Sequence, residues 1–135
     1  MPEKEPSQLS CDDLISRLAR VARAVVYYDK SYDIVDELYR MADDQDKVLR
    51  LLSELSRVVL KVFDDVRDYV DLQGNSNEER VKKVRKLYKA MQKWSKILEE
   101  FERNCLQDPK NVRKLASLSL VPDGYALALS EALGK

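Results

Sequence analysis

Three acidic residues near the middle of the chain have types and spacing that could bind a metal ion. Asp64, Asp65 and Asp68 stand in the stretch VFDDVRDYVD as Asp-Asp-x-x-Asp. Carboxylates at this spacing on a helix can hold Mg²⁺ and, through it, a diphosphate group. Because two or three carboxylates leave most of the octahedron around Mg²⁺ to water and substrate, such a site needs a second acidic cluster facing the first.

The candidate for that second cluster is the segment DIVDE, which contains Asp33, Asp36 and Glu37. This segment resembles half of the acidic signature of helical nucleoside-triphosphate pyrophosphohydrolases. The motif at 64–68 matches that of prenyl-diphosphate enzymes, but 135 residues are too few for the large helical barrel of prenyl transfer. A Mg²⁺-dependent diphosphate enzyme is therefore the third of three hypotheses for this chain.

Basic neighbours give the same acidic residues a simpler explanation. Lys61 precedes Asp65 by four residues, and Arg67 follows Asp64 by three. Pairs at these spacings on a helix stabilise it by roughly 0.2–0.5 kcal/mol each. The pattern thus favours a solvated helix face over a metal site.

Other catalytic chemistry has little support in the composition. The chain contains no histidine, which excludes His-dependent serine or cysteine triads, Glu-x-x-His di-iron bundles and the usual zinc sites. No glycine-rich phosphate loop is present either. We therefore expect a protein that is not an enzyme, with no cofactor, no metal and no small-molecule substrate.

A run of positive charge is the most distinctive feature of the sequence. The stretch RVKKVRKLYKAMQKWSK, residues 80–96, contains eight basic residues and no acidic one, although the whole chain is neutral with 24 basic and 24 acidic residues. These candidate binding residues are Arg80, Lys82, Lys83, Arg85, Lys86, Lys89, Lys93 and Lys96. On a helix, most of them flank or oppose an apolar face that includes Val84, Tyr88, Met91 and Trp94.

Three interpretations of this basic helix remain open. It could pack its apolar face inward and pair its charges with the acidic segment 29–46. It could instead bind anionic lipid, where each basic side chain contributes about 1 kcal/mol, or it could bind nucleic-acid phosphate. A zero net charge, the lack of exposed aromatic platforms and the lack of a reading motif argue against nucleic acid.

The two cysteines do not form a recognisable motif. Cys11 and Cys105 are far apart in sequence, and neither belongs to a CxxC pair or a metal-ligand cluster. We expect reduced thiols that line the core, in preference to a disulfide that ties the chain ends.

The elements that position these residues are predicted to be helices. Apolar residues recur in alternating steps of four and three along most of the chain, which contains three glycines and four prolines. The fold class is therefore all-α, an antiparallel bundle of four to five amphipathic helices in a single domain. A disordered lead at 1–9 precedes a bundle at 10–135 with helices at about 11–42, 47–72, 77–107, 109–119 and 123–133.

Local signals mark the helix ends. Ser10 is a candidate N-cap, and Ser31 could cap a second helix if the first breaks near 29–31. Gly74 suits a left-handed C-cap, and Ser76 with Glu79 forms a capping box. The start of the chain lacks an apolar stretch and no run of about 18 apolar residues occurs, so we expect neither secretion nor a membrane span.

Taken in order, the segments resemble the peroxin-eleven family of peroxisome-proliferation proteins over about two thirds of the chain. The resemblance rests on LLSELSRVVLKVFDDV, on the glycine of the next turn, on a basic helix with a tryptophan, and on VPDGYALALSEALGK. The matching positions are Leu52, Leu55, Ser56, Arg57, Phe63, Asp64, Gly74, Trp94, Asp123, Ala126, Ala128 and Leu129. The helices are less apolar than those of that family, and its glycine-rich hydrophobic tail is missing.

The resemblance implies a non-enzymatic protein that self-associates and inserts an amphipathic helix into one leaflet of a membrane. The leading hypothesis is accordingly an adaptor that uses the basic helix at a protein partner or an anionic membrane surface. It would act inside the cell, in the cytoplasm or on the cytosolic face of an organelle such as the peroxisome. The alternative is a small helical subunit of a nucleoprotein complex that contacts phosphate backbone through the same helix.

Overall fold

The computed structural model describes residues 8–74 and 76–134, and these residues form six α-helices without a β-strand. The helices are α1 (Cys11–Asp29), α2 (Tyr32–Arg40), α3 (Gln45–Leu72), α4 (Asn77–Asn104), α5 (Pro109–Ser119) and α6 (Gly124–Ala132). They pack against one another around one core, so the predicted all-helical single domain is confirmed. Most of the expected disordered lead, residues 1–7, lies outside the described residues.

The long apolar series at the start of the chain is divided between two helices. Lys30 ends α1 in the left-handed conformation with φ 58°, and α2 begins at Tyr32. Ser31 occupies the N-cap position, but its side chain does not cap the helix, and its buried Oγ has no hydrogen-bond partner among the described residues. This division gives six helices among the described residues, where four to five were expected.

Side chains close in sequence cap the N-termini of α1 and α4. The Oγ of Ser76 accepts a hydrogen bond from the backbone N–H of Glu79 at 3.3 Å, which starts α4. In the turn before α4, Gly74 has φ 69°, which is the left-handed conformation that the sequence predicts for it. The Oγ of Ser10 likewise accepts from the N–H of Asp13 at 3.2 Å and starts α1. Because these signals are local, α3 and α4 are specified as a helical hairpin by sequence alone.

Helix α1 lies at the centre of the core, in contact with α3, α4, α5 and α6. The indole N–H of Trp94 on α4 donates to the carbonyl oxygen of Leu18 on α1 at 3.3 Å, inside the core. A salt bridge of 3.2 Å between Arg23 and Asp123 fixes the start of α6 against α1. The largest fully buried side chains include Leu14, Ile15, Leu18, Val35, Leu38, Leu52, Leu55, Phe101 and Leu115.

A disulfide between Cys11 and Cys105 joins the first turn of α1 to the end of α4. The two Cα atoms are 5.8 Å apart, and 94 residues separate the cysteines in sequence. The expectation of two reduced thiols is therefore wrong. It failed because the antiparallel packing of α1 on α4 brings the two positions together, and no local spacing reports that contact.

The α3–α4 hairpin is packed very unevenly along its length. Its buried residues end at Val62 on α3 and resume only at Trp94 on α4. Between these positions, every described residue is half-buried or exposed. We call residues 63–74 and 76–93 the outer hairpin, and the other described residues the base.

Candidate functional site

The acidic motif at 64–68 does not form a single ligand cluster. The guanidinium group of Arg67 pairs with Asp64 at 3.6 Å and with Asp68 at 3.8 Å, while Asp65 accepts a hydrogen bond from the hydroxyl of Tyr28 at 2.8 Å. The predicted Arg67–Asp64 pair is confirmed, but Lys61 pairs with Asp29 instead of Asp65. Within residues 8–74 and 76–134, no group of three or more His, Cys, Asp or Glu side chains is placed to hold a metal ion.

The Tyr28–Asp65 contact also alters the titration of the tyrosine. Burial is the largest cause, and the hydrogen bond to Asp65 and the charges of Asp65 and Asp29 add to it, which together raise the pKa of Tyr28 to about 12. A phenol with this pKa stays protonated near neutral pH and donates to the carboxylate. The pair therefore joins α1 to α3 structurally.

The second acidic candidate is also occupied by ion pairs. On α2, Asp36 pairs with Arg40 at 3.2 Å, and Glu37 pairs with Lys47 at 3.3 Å. These contacts stabilise the helix and its connection to α3 to a small degree, because exposed pairs contribute roughly 0.2–1 kcal/mol each.

All eight predicted basic residues lie on α4, and all are exposed. At 3.6 residues per turn, six of them fall within an arc of about 100° on the solvent side of the helix. We call this set the basic arc: Lys82, Arg85, Lys86, Lys89, Lys93 and Lys96. The other two point elsewhere, because Arg80 pairs with Asp71 at 3.2 Å and Lys83 contributes to the wall of a groove beside α3.

Five of the six members of the basic arc do not pair with the acidic segment 29–46. Where acidic residues of that segment form salt bridges to other helices, their partners are Lys61, Lys47 and Arg113. Five members of the arc make no salt bridge with any described residue: Lys82, Arg85, Lys86, Lys89 and Lys96. Ion pairs with the acidic segment therefore do not neutralise these five residues, and their side chains are exposed.

Two arginines on α1 extend the positive surface, and sequence reasoning missed them. Arg17 and Arg20 line a shallow depression together with Lys93 and Trp94 of α4. Neither arginine has a salt bridge within the described ranges. The sequence places them three residues apart on the polar side of α1, but their contribution becomes visible only when α1 is known to pack antiparallel on α4. Arg17, Arg20 and the basic arc together are called the basic surface below.

An exposed apolar strip borders the basic arc. Tyr88 is 57% exposed and Val81 is 44% exposed, and both lie beside Val84, Arg80 and Arg85 on the outer face of α4. The sequence assigned Tyr88 to the inward face and expected no exposed aromatic platform, and both expectations are wrong. No described helix covers this side of the outer hairpin, so the ring of Tyr88 is exposed to solvent next to the positive charge of Arg85.

Comparisons with known proteins identify one full-length relative. The chain is 32% identical over 133 residues to the CRISPR system associated protein Csa5 of Thermoproteus tenax, and the match covers 96% of this chain and 97% of that protein. No protein-family model matches the chain, and no solved structure matches it. None of the described helices combines the length and the apolar character needed to cross a membrane.

The resemblance to the peroxin-eleven family is wrong, because the full-length relative belongs to a different family. The leading hypothesis of a membrane adaptor is overturned with it, and the expectation of a peroxisomal location has no support. Leu52 and Leu55, two of the residues that carried the resemblance, are core positions of α3 with 0% and 2% exposure. Any amphipathic helix in a bundle needs leucines at such positions, so they carry no information about a membrane.

Proposed function

This chain belongs to the family of the CRISPR system associated protein Csa5, and from that membership we propose that it is a helical, non-catalytic subunit of a nucleoprotein complex. In the proposal, the basic surface contacts the phosphate backbone of a nucleic acid. CRISPR effector complexes hold a guide RNA, its target strand and a displaced single strand, so phosphate backbone is abundant within them.

The observation that carries the proposal is a set of five exposed basic side chains that make no salt bridge with any described residue: Lys82, Arg85, Lys86, Lys89 and Lys96. Lys82, Lys89 and Lys96 recur every seven residues on the same side of α4 and span about 21 Å of helix. A surface of this length could follow several nucleotides of a strand. Binding would release counterions from the phosphates and would weaken as salt increases.

Features beside the basic arc favour a single strand over a duplex. Tyr88 offers an exposed ring next to Arg85, and bases of a single strand stack on such rings with little regard to sequence. Lysine and arginine contacts to phosphate position a strand but do not identify its bases. The proposed interaction is therefore sequence-independent.

The absence of a catalytic role is part of the proposal. The chain has no histidine, and Asp64, Asp65 and Asp68 are engaged by Arg67 and Tyr28. In this account the carboxylates stabilise the helices, and the chemistry of the complex is performed by other subunits.

A charge-reversal experiment tests the proposal. The variant Lys82→Glu/Lys86→Glu/Lys89→Glu should bind a fluorescent single-stranded oligonucleotide more than about tenfold more weakly than the wild type, measured by anisotropy at fixed salt. The matched control Arg50→Glu/Arg57→Glu/Lys110→Glu changes the net charge equally, at exposed residues outside the basic surface. It should retain most of the affinity. Equal loss in both variants, or no loss in the first, would contradict the proposal.

A further inference from the structure

A second surface of the outer hairpin differs in chemistry from the basic surface. An open groove of about 440 Å³ runs where α3 and α4 meet α1 and α6, and nearly all of its lining is apolar. Its volume is in the range of sites that bind ligands or side chains of a partner. Six residues from the hairpin form most of one wall: Val62, Phe63, Val66, Val70, Leu87 and Ala90.

The groove lies beside the second half of α1, where Val21, Ala24 and Val25 contribute to its lining, and α1 ends before the hairpin does. The end of α1 is held to α3 by the Tyr28–Asp65 hydrogen bond and the Asp29–Lys61 salt bridge, and the chain then turns away at Lys30. Beyond Asp65, α3 continues to Leu72 for about two further turns, roughly 10 Å. Val66 and Val70 continue its apolar stripe over this length, but no described helix covers them fully.

Two lysines place positive charge at the edge of the groove. Lys83 and Lys86 contribute to its lining, and both are exposed. Lys86 has no salt bridge with any described residue. An apolar segment that also carried carboxylates would satisfy both the apolar floor and the basic edge.

We propose that this groove binds an acidic amphipathic helix of a protein partner. The inference goes beyond nucleic-acid binding, since it concerns a different kind of ligand and, apart from Lys86, a different set of residues. The partner helix would place apolar side chains at i, i+3, i+4 and i+7 into the groove and glutamate or aspartate beside Lys83 and Lys86. It would pack along α3 and α4, beside Val21, Ala24 and Val25 of α1.

The shape of the groove favours a helix over a small molecule. A small-molecule site usually encloses 70–90% of its ligand, whereas this groove is open along one side. Helices pack at separations of roughly 8–10 Å, with the ridges of one in the grooves of the other. Two antiparallel helices with an uncovered apolar stripe provide that kind of surface.

A displayed library of helical peptides tests the inference on the full-length chain. Each peptide carries apolar residues at i, i+3, i+4 and i+7, with either glutamate or lysine at every flanking position. Selection should enrich glutamate at the flanking positions. The selected peptides should bind Val66→Glu at least about tenfold more weakly, because an unpaired carboxylate in an apolar groove is costly to bury.

A second groove variant controls for the possibility that Val66→Glu misfolds. Ala90 is exposed at the edge of the groove, so Ala90→Gln should fill part of the groove and weaken peptide binding while the helical circular dichroism stays unchanged. Two independent readouts separate this inference from the proposed function. Val66→Glu should leave oligonucleotide affinity intact, and Lys82→Glu/Lys89→Glu should weaken oligonucleotide binding with peptide affinity unchanged.

Three results would overturn the inference. The first is a selection that yields no binders or enriches lysine at the flanks. The second is peptide binding that both groove variants retain. The third is a change in the molecular mass of the protein in solution on Val66→Glu, since the groove would then hold a second copy of this chain.

Discussion

Leu52 and Leu72 lie on the same helix, yet the first is fully buried and the second is 86% exposed. The difference reflects the two regions of the molecule. In the base, α1 and α2 cover the hairpin and bury its apolar side chains, and α5 packs on α1 and α2. In the outer hairpin, the same kind of amphipathic sequence continues without that cover, and it presents the basic arc, the apolar strip and the groove to solvent.

The comparison indicates that residues important for stability and residues available for binding occupy different parts of the same two helices, α3 and α4. Residues of the base contribute contacts that the unfolded chain cannot make, so substitutions there should change the free energy of unfolding. Residues of the outer hairpin make few such contacts, so substitutions there should change binding while stability stays nearly constant.

The largest expected effect on stability concerns the disulfide in the base. Replacement of Cys11 and Cys105 by serine removes a cross-link between residues 94 positions apart. The chain-entropy relation for a loop of this length predicts a loss of about 4–5 kcal/mol. Chemical denaturation of wild type and of Cys11→Ser/Cys105→Ser measures it. If both proteins unfold at the same denaturant concentration, the cysteines do not form this bond in solution.

A matched pair of leucine substitutions compares the two regions directly. Leu52→Ala creates a cavity in the base and should lower the free energy of unfolding by about 2–5 kcal/mol. Leu72→Ala removes the same atoms from the exposed end of α3 and should change it by less than about 0.5 kcal/mol. Thermal denaturation of both variants gives the comparison. Similar losses would show that the outer hairpin is covered in solution.

The contact at the boundary between the two regions should give an intermediate effect that depends on pH. Tyr28→Phe removes the hydrogen bond to Asp65 and should cost about 1–2 kcal/mol near neutral pH. The folded-state pKa of about 12 lies above the ordinary tyrosine value of about 10. The contribution is therefore complete below pH 10 and is lost as pH rises through 12.

Denaturation between pH 9 and about pH 12 measures this effect. The wild type should lose stability more steeply than Tyr28→Phe over that range, and the two curves should converge at its upper end. Parallel curves would contradict the raised pKa. Tyr125→Phe is the control, since Tyr125 is 67% exposed.

The smallest expected effect concerns Glu102 in the base. Burial, followed by the charge of Glu99, raises the pKa of the Glu102 carboxyl group. A raised pKa in an acid means that the folded state favours the protonated form, so stability increases as pH falls through the folded-state value. Glu102→Gln should therefore raise Tm by roughly a degree at neutral pH and should make no difference in acid. A lower Tm at neutral pH would contradict the assignment.

Much of this fold follows from local sequence. The apolar residues of α3 and α4 recur in steps of three and four, and Ser76, Glu79 and Gly74 mark the turn between them. These signals act within a few residues, which is why the sequence predicts the helices. The pairing of Cys11 with Cys105 was missed because it depends on contacts between segments that are distant in sequence.

The candidate site was predicted only in part for the same reason. The sequence identifies the eight basic residues of α4, but it cannot tell where α1 ends relative to the hairpin. The exposure of Tyr88 and the groove beside Lys83 and Lys86 depend on how the other helices pack against the hairpin. The addition of Arg17 and Arg20 to the surface likewise depends on how α1 packs against α4.

Backbone amide hydrogen exchange, with and without a saturating single-stranded oligonucleotide, tests the central claim most directly. Amides of the outer hairpin should exchange fastest among the helices of the free protein, since few buried contacts hold them. The oligonucleotide should slow exchange at residues 80–96 and near Arg17 and Arg20, and leave α2 and α5 unchanged. Slowing at α2 or α5 with no change at residues 80–96 would contradict the account.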